Sequence, residues 1–309
     1  MSSVMFNTRF QLAELTLAGL CSFQIQGEIV SPSSPLSYPC DQKPILLFLH
    51  GWQDNAASFA PLFVTLADKF HLIAIDWPGH GHSQPRGKDN YYYFFDYLDD
   101  LKQLMALLPD REVYLVGHSL GALVASCYAA VFPADVAGVV LIEGMSPLHE
   151  SPDHMVQRLR DGIASRQRYR RRTELWGRGR GMSSFQEALK LRCTVNQLSA
   201  EQLAPLVERA TYQDGSNWYW RHDNRLRCDS LYRMAEGHAK VLMSQIQCPV
   251  LSILGRSGFT ALKQPEAGRH WLQHGSQVEV DGGHHCHIES PRAVCEHIVR
   301  FTSNFSQLA

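Results

Sequence analysis

Residues 113–121, VYLVGHSLG, constrain the fold of this chain more than any other stretch. A short apolar run stops at Gly117, and His118, Ser119, Leu120 and Gly121 then lead directly into ALVASCYAAVF. This is G-x-S-x-G set between a buried-strand pattern and a helix pattern, the context that gives the motif its meaning. A tight strand-to-helix turn there lifts the Ser119 hydroxyl clear of the backbone at a helix N-terminus. Glycines two before and two after the serine are needed because the turn crowds its neighbours, and a Cβ at either position would clash. Ser119 is therefore the candidate nucleophile. The competing reading is a serine N-cap with incidental glycines.

The rest of the chain is organised around the same strand-then-helix rhythm. Alternation over 10–17 and 20–28 predicts two strands, and the Ser/Pro-rich 31–43 predicts a loop. Residues 44–50 (PILLFLH) are consecutively apolar, as in a strand covered on both faces. Helical spacing follows over 57–70, a strand over 71–76, a glycine-dense turn over 76–83, and a helix over 91–108 whose aromatic residues read as a core face. After the Ser119 turn and its helix, 136–142 is another buried strand, closing at Glu143 and Gly144. Between 147 and 247 the strand signal vanishes and helix patterns cover 155–172, 182–193, 200–210 and 230–246. The sheet resumes at 249–255, followed by a helix near 262–273, a strand at 277–280 and a closing helix over 291–305.

This order predicts an α/β protein: a mostly parallel sheet with helices on both faces and a helical cap inserted after the sixth strand. The core would comprise 1–146 and 248–309, and the cap 147–247. A cap so placed sits over the strands' carboxyl ends, where ligands bind in open α/β sheets.

At 309 residues, one core with an insertion suffices. With 19% charged residues, 45% hydrophobic ones and a net charge of -1, neither disorder nor a globally basic nucleic-acid binder is indicated. Eight cysteines are scattered without a C-x-x-C pair, which reads as reduced, buried thiols. Residues 1–8 lack a basic start followed by an apolar stretch, and no later run approaches membrane-spanning length. The expectation is a cytoplasmic protein without stable membrane insertion; oligomeric state is not encoded in any motif.

An activated serine needs a base, and the base an acid that fixes its tautomer. The base is sought in DGGHHCHIESP (281–291), on a loop after the last strand, where His284, His285 and His287 compete. A histidine trio also raises a metal site, but these three lack i, i+4 spacing and no second motif lies nearby. No metal and no cofactor is expected.

The motifs together give the chain a resemblance to the α/β-hydrolase superfamily over nearly its whole length, and within it to the serine hydrolase-like proteins. The residues that carry it are His50-Gly51-Trp52, Asp54-Asn55-Ala56, Gly117-His118-Ser119, and Arg221, Asp223, Arg225 and Leu226; a late Gly-His pattern matches at His284, Glu289 and Pro291. The resemblance selects His284 as the base and implies that His285 and His287 are structural or pocket-lining. It also implies an oxyanion hole formed by the backbone amides of Trp52 and Leu120. His50, His118, Trp218, Trp220 and Asp223 become candidates for the pocket.

The acid departs from the commonest pattern of the superfamily. Many relatives carry G-x-x-D after the strand matching 249–255, whereas this chain has Gly255-Arg256-Ser257-Gly258. Haloalkane dehalogenases, among others, place the acid after the strand that follows the elbow helix, and that position holds Glu143. Ser119, Glu143 and His284 then satisfy the Ser, acid, His order of the fold. Asp223 is the runner-up, although Arg221 and Arg225 beside it suggest an ion pair. Asp54 and Asn55 read as helix caps, and the turn at 76–83 as scaffold.

Within cap residues 158–180, nine arginines (158, 160, 166, 168, 170, 171, 172, 178 and 180) stand against only Asp161 and Glu174. They form either a solvated helix face or a rim that attracts an acidic or phosphate-bearing ligand. The expectation is a serine hydrolase acting on a small-molecule ester with an apolar acyl part. An acyl thioesterase and a non-catalytic ligand-binding protein on the same fold are the alternatives. Serine at 119 argues against halide and epoxide chemistry, which uses an aspartate nucleophile on this fold.

Overall fold

The structure is a computed structural model and describes residues 5–25, 29–34, 36, 41–177, 181–264 and 267–305. Along the chain the strands are β1 (Phe6–Gln11), β2 (Thr16–Cys21), β3 (Ile45–Leu49), β4 (His71–Ile75), β5 (Val113–His118), β6 (Gly138–Ile142), β7 (Thr211–Asp214), β8 (Asn217–Trp220), β9 (Val250–Gly255) and β10 (Gly275–Val280). The helices are α1 (Ala60–Leu66), α2 (Asp96–Met105), α3 (Leu120–Val131), α4 (Met155–Trp176), α5 (Phe185–Asn196), α6 (Ala200–Ala210), α7 (Glu236–Ser244), α8 (Cys286–Glu289) and α9 (Pro291–Phe305). Eight strands make one sheet in the order β1-β2-β4-β3-β5-β6-β9-β10. The β1/β2 and β2/β4 pairs are antiparallel, and the other neighbours are parallel.

The consecutive apolar runs follow from burial on both faces, since successive side chains point to opposite sides of a strand. Ile45, Leu47, Leu49, Leu115 and Leu141 pack with side chains of α2, α3 and α7. Leu46, Phe48, Tyr114, Val116 and Val140 turn the other way, onto α1 and α9. The parallel register pairs His118 with Ile142, Ile142 with Ile253, and Gly255 with Val280. Residues 119, 143, 256–259 and 281–287 therefore emerge at one edge of the sheet.

Several boundaries differ from the sequence expectation. The first two strands lie earlier, because the Leu12 amide donates to the Leu15 carbonyl (2.9 Å) and closes a turn inside the segment read as one strand. The helix expected from residue 91 begins at Asp96; Tyr92 has φ 57°, which no α-helix admits. The helix expected near 262–273 is reduced to 3-10 turns at Thr260–Lys263 and Arg269–Trp271, with Gly268 left-handed between them. In the segment between β6 and β9, where only helices were expected, β7 and β8 form an antiparallel hairpin turning at Gly215 (φ 61°). That segment has its own small core of Met182, Leu203, Leu206 and Val207, joined by Ile288, with Trp218 and Trp220 packed against it. Of the nine arginines counted above, Arg178 and Arg180 lie outside the described residues. Arg160, Arg170, Arg171 and Arg172 are exposed, Arg158 pairs with Glu150, and Arg166 lies over the Tyr91 ring (4.2 Å).

The Ser119 turn shows why its glycines are required. A Cβ at Gly121 would lie 1.8 Å from the Leu49 carbonyl oxygen, and one at Gly117 2.4 Å from the Gly121 backbone. Neither neighbour is a flexible side chain, so strand and helix would have to part. Gly121→Ala is expected to destabilise the fold by about 3 kcal/mol, an overpacking cost at the upper end of the usual range. Gly237→Ala is the control: nothing lies within 4 Å of its added Cβ and the site is helical. It should gain roughly 0.5–1 kcal/mol. Urea midpoints of the two variants check both signs.

Candidate active site

Three parallel strands deliver the site. β5 ends at His118, and Ser119 follows with φ 50° and ψ −116° before α3 begins at Leu120. A non-glycine residue held there stores about 1–3 kcal/mol of strain, which the surroundings must fix in place. They do so by backbone bonds: the Ser119 amide donates to the Ile142 carbonyl (2.9 Å), and its own carbonyl accepts from Ala122 (2.9 Å) and Leu123 (3.2 Å). The Ser119 side chain is partly exposed.

β6 ends one residue before Glu143, which is also left-handed (φ 48°) and 2% exposed. Its Oε1 accepts from the Gly255 amide (2.8 Å) and its Oε2 from the Phe259 amide (3.0 Å). Oε2 also lies 3.3 Å from His284 Nδ1. With Nδ1 facing the carboxylate, Nε2 is the ring nitrogen left for a hydroxyl or a substrate. The His284 ring stacks on Phe259 (centroids 4.2 Å) and packs against His118 (4.8 Å). Its carbonyl accepts from His118 Nε2 (2.7 Å), which ties the loop after β10 to the residue before Ser119.

The segment 255–259 is the one that lacks the commoner acid. A Cβ at Gly258 would stand 2.1 Å from Glu143 Oε1, so the space is already filled by a carboxylate arriving from β6. Phe259 was not singled out from the sequence, and Gly258 was named only as the place where the commoner acid is missing. The signal was present nonetheless, as a glycine where an acid would otherwise stand.

Gly51 runs directly over the turn, since a Cβ there would lie 3.2 Å from Ser119 Cβ. Trp52 follows Gly51 directly, and Leu120 opens α3 on the other side of Ser119. Among the described residues neither amide donates to a protein acceptor. His50 and His118, proposed as pocket residues from the sequence, are instead fully buried. His50 accepts the Trp77 amide at Nε2 (2.8 Å) and reaches the Gly51 carbonyl with Nδ1 (2.7 Å), so it pins the loop from behind. Burial, with the charges of His287, His285 and His284, holds His118 well below the usual histidine range.

Asp223 is committed elsewhere: it binds Arg225 and accepts from Tyr92 Oη (2.8 Å). Burial opposes its ionisation, and Arg225 outweighs burial, leaving its pKa lowered. Asn55 caps the turn after β3, accepting from the Ala57 amide (3.0 Å), as expected. Asp54 does not serve as a cap. Its Oδ1 meets Arg192 (2.5 Å), its Oδ2 meets His285 Nε2 (3.2 Å), and His118 Nδ1 lies 3.7 Å away. Against the cost of burial, His285, Arg192 and His118 hold its carboxyl well below the ordinary range. His287 is buried with both ring nitrogens lacking a hydrogen-bond partner. Asp54, His118 and His285 present ligand atoms within 4.8 Å of one another, which makes them the residues best placed to hold a cation. Asp76 anchors the turn after β4, accepting from the Ala56 and His82 amides (2.8 Å each) and from Arg209 Nε (3.0 Å).

A cavity of about 990 Å³ lies in the segment between β6 and β9 and is not lined by Ser119, Glu143 or His284. Trp218 and Trp220 wall it, with Arg168, Arg172 and Arg227 among its polar residues. No helix among the described residues is long and apolar enough to cross a membrane.

A strained serine at a strand-to-helix turn, on a sheet of this order, belongs to one fold family. The chain is a member of the alpha/beta hydrolase fold family, whose model matches residues 44–291. It is similar to a serine hydrolase-like protein of Danio rerio, 27% identical over 90% of this chain and 85% of that protein. A hypothetical protein of Pseudomonas aeruginosa PAO1 superposes with a TM-score of 0.79 at 27% identity, covering 97% of this chain and 99% of its own. An esterase of Mycobacterium tuberculosis, in a structure concerned with its transition-metal inhibition, superposes with a TM-score of 0.68 at 25% identity, covering 97% and 92%.

Proposed function

We propose that this protein is a serine hydrolase that cleaves a small carboxylic ester through an acyl-enzyme. The observation that carries the reading is the Glu143 carboxylate, gripped by two backbone amides and lying 3.3 Å from His284 Nδ1. His284 takes the Ser119 proton as Oγ attacks the ester carbonyl, and the Trp52 and Leu120 amides stabilise the oxyanion. The protonated His284 returns its proton to the departing alkoxide, and the acyl group stays on Ser119. A water, deprotonated by His284, then releases the acid and restores the serine. Glu143 keeps the hydrogen of His284 on Nδ1 throughout.

In this reading residues 1–146 and 248–309 are the catalytic core, and 147–247 a cap over the strand ends. The bonds Asn55 Nδ2 to the Leu206 carbonyl (2.9 Å) and Arg209 to Asp76 support such seating. Labelling by a fluorophosphonate tests the proposal. One label per chain, lost in Ser119→Ala, is the expected result. A folded native protein that takes no label leaves the ligand-binding reading in its place. The arginines on the aromatic cavity favour an anionic carrier thioester as the second substrate class; parallel turnover of both esters and acyl-carrier thioesters separates the two.

A further inference from the structure

We propose that Asp54, His118 and His285 form a binding site for a borderline transition-metal cation of the Zn2+ type, and that its occupancy silences the adjoining serine site. The three donors come from separate loops, after β3, at the end of β5 and after β10, and their ligand atoms lie within 4.8 Å of one another. His118 fixes the chemistry. Its Nε2 faces the His284 carbonyl at 2.7 Å, and a carbonyl only accepts, so Nε2 carries the ring hydrogen. Nδ1 is then the lone-pair nitrogen. It is buried, has no hydrogen-bond partner, and faces Asp54 Oδ2 at 3.7 Å with 1% and 3% side-chain exposure.

Two electron-pair donors facing each other without a hydrogen between them repel, and a cation placed between them removes that repulsion. The spacing suits one. For tetrahedral bonds of about 2.1 Å, adjacent ligand atoms stand roughly 3.4 Å apart. The two separations from Asp54 Oδ2, 3.2 Å to His285 Nε2 and 3.7 Å to His118 Nδ1, bracket that value, and the two imidazoles, within 4.8 Å of each other, close toward a shared ion. Two imidazoles and one carboxylate select Zn2+ and its neighbours over Mg2+ or Ca2+. Arg192 already occupies Asp54 Oδ1, so the site favours reversible binding over a resident ion.

The consequence for activity rests on the reading of Ser119 and His284 given above. Drawing His118 and His285 onto one ion moves the chain neighbours of both, and His118 also anchors the His284 carbonyl. The expectation that the histidines form no metal site rested on the spacing within 284–287 and on the lack of a second motif nearby in the sequence. Asp54 and His118 supply what that loop lacks.

Isothermal titration of the native chain with Zn2+, and with Mg2+ as control, tests the binding half without reference to turnover. One Zn2+ per chain is expected, with no Mg2+ uptake, and His285→Asn should weaken Zn2+ by about ten-fold or more. A second variant, Asp54→Asn, guards against misfolding of the first. Unchanged affinity in both variants, or no Zn2+ uptake at all, overturns the site. Fluorophosphonate labelling with and without Zn2+ tests the other half: native labelling should slow with Zn2+ and recover with chelator, and His285→Asn should resist that slowing. Zn2+ binding with undiminished labelling overturns the silencing. A chain that binds Zn2+ yet never labels defeats the hydrolase reading and leaves the metal site standing.

Discussion

Glu143→Gln is expected to lower kcat by about 10⁴-fold while the chain remains folded, the scale set by amide replacement of a triad acid. The carboxylate offers acceptors on both oxygens, and three neighbours use them: the Gly255 amide, the Phe259 amide and His284 Nδ1. A carboxamide has one oxygen and one NH2. If its oxygen serves Gly255, the NH2 meets His284 and stabilises the tautomer with a bare Nδ1, whose Nε2 then bears a hydrogen and accepts no proton from Ser119. If the oxygen is turned to His284, a buried backbone amide loses its acceptor, costing about 1–3 kcal/mol. In the first orientation the Phe259 amide also loses its acceptor; in the second His284 keeps its tautomer but loses the negative charge that stabilises its protonated form, so in both the chain stays folded, with a modest fall in melting temperature, and turnover falls. Turnover within ten-fold of the native rate would remove Glu143 from the mechanism. Asp223 would gain little from that outcome, because Arg225 and Tyr92 already occupy its oxygens.

The contrast between Glu143 and Asp54 shows what the sequence made legible. Ser119 could be read because strand, glycines and helix are contiguous, so a local pattern encodes the turn. Glu143 and His284 needed only the further fact that parallel strands end at one edge. Asp54, His118 and His285 are 64 or more residues apart along the chain and meet through loop packing, which no spacing rule reports. The hairpin of β7 and β8 was hidden differently. Asp214-Gly215 between aromatic residues is a hairpin signal, yet helical periodicity on both sides outweighed it. Tyr92 misled in the opposite sense, since its hydrophobic neighbours continued a helical pattern while its backbone is left-handed (φ 57°) and its hydroxyl is bonded to Asp223. Local periodicity thus gave the sheet and its covering helices, and long-range polar contacts set the details around the site.

Burial of histidines predicts acid sensitivity above the carboxylate range. His50, His80, His118 and His287 are fully buried, and burial is the leading cause that depresses each of them, His80 to about 3. Their unfolded counterparts titrate near 6.5. Between those values the unfolded chain binds more protons than the native one, so stability rises with pH across the window and falls as pH drops from about 6.5. A histidine kept neutral in the folded chain contributes a slope of at most about 1.4 kcal/mol per pH unit below 6.5, and the four act in one direction; Asp100, which burial raises to about 7, opposes them. Asp54 and Asp76, whose pKa values are lowered, add their loss only below about 3.9, after the histidines have acted. Urea midpoints at pH 7, 6 and 5 should therefore fall steeply. His287→Leu tests one contributor, because its ring makes no hydrogen bond; it packs against Phe59 (centroids 5.3 Å) and His118 (4.3 Å), and its charge is the leading one lowering His118, so that share changes with it. That variant should lose about 1.4 kcal/mol per pH unit of the slope and be the more stable chain at pH 5. A flat native profile from pH 7 to 5 would mean that these histidines are protonated in the folded state; an unchanged slope in His287→Leu would remove that residue from the account.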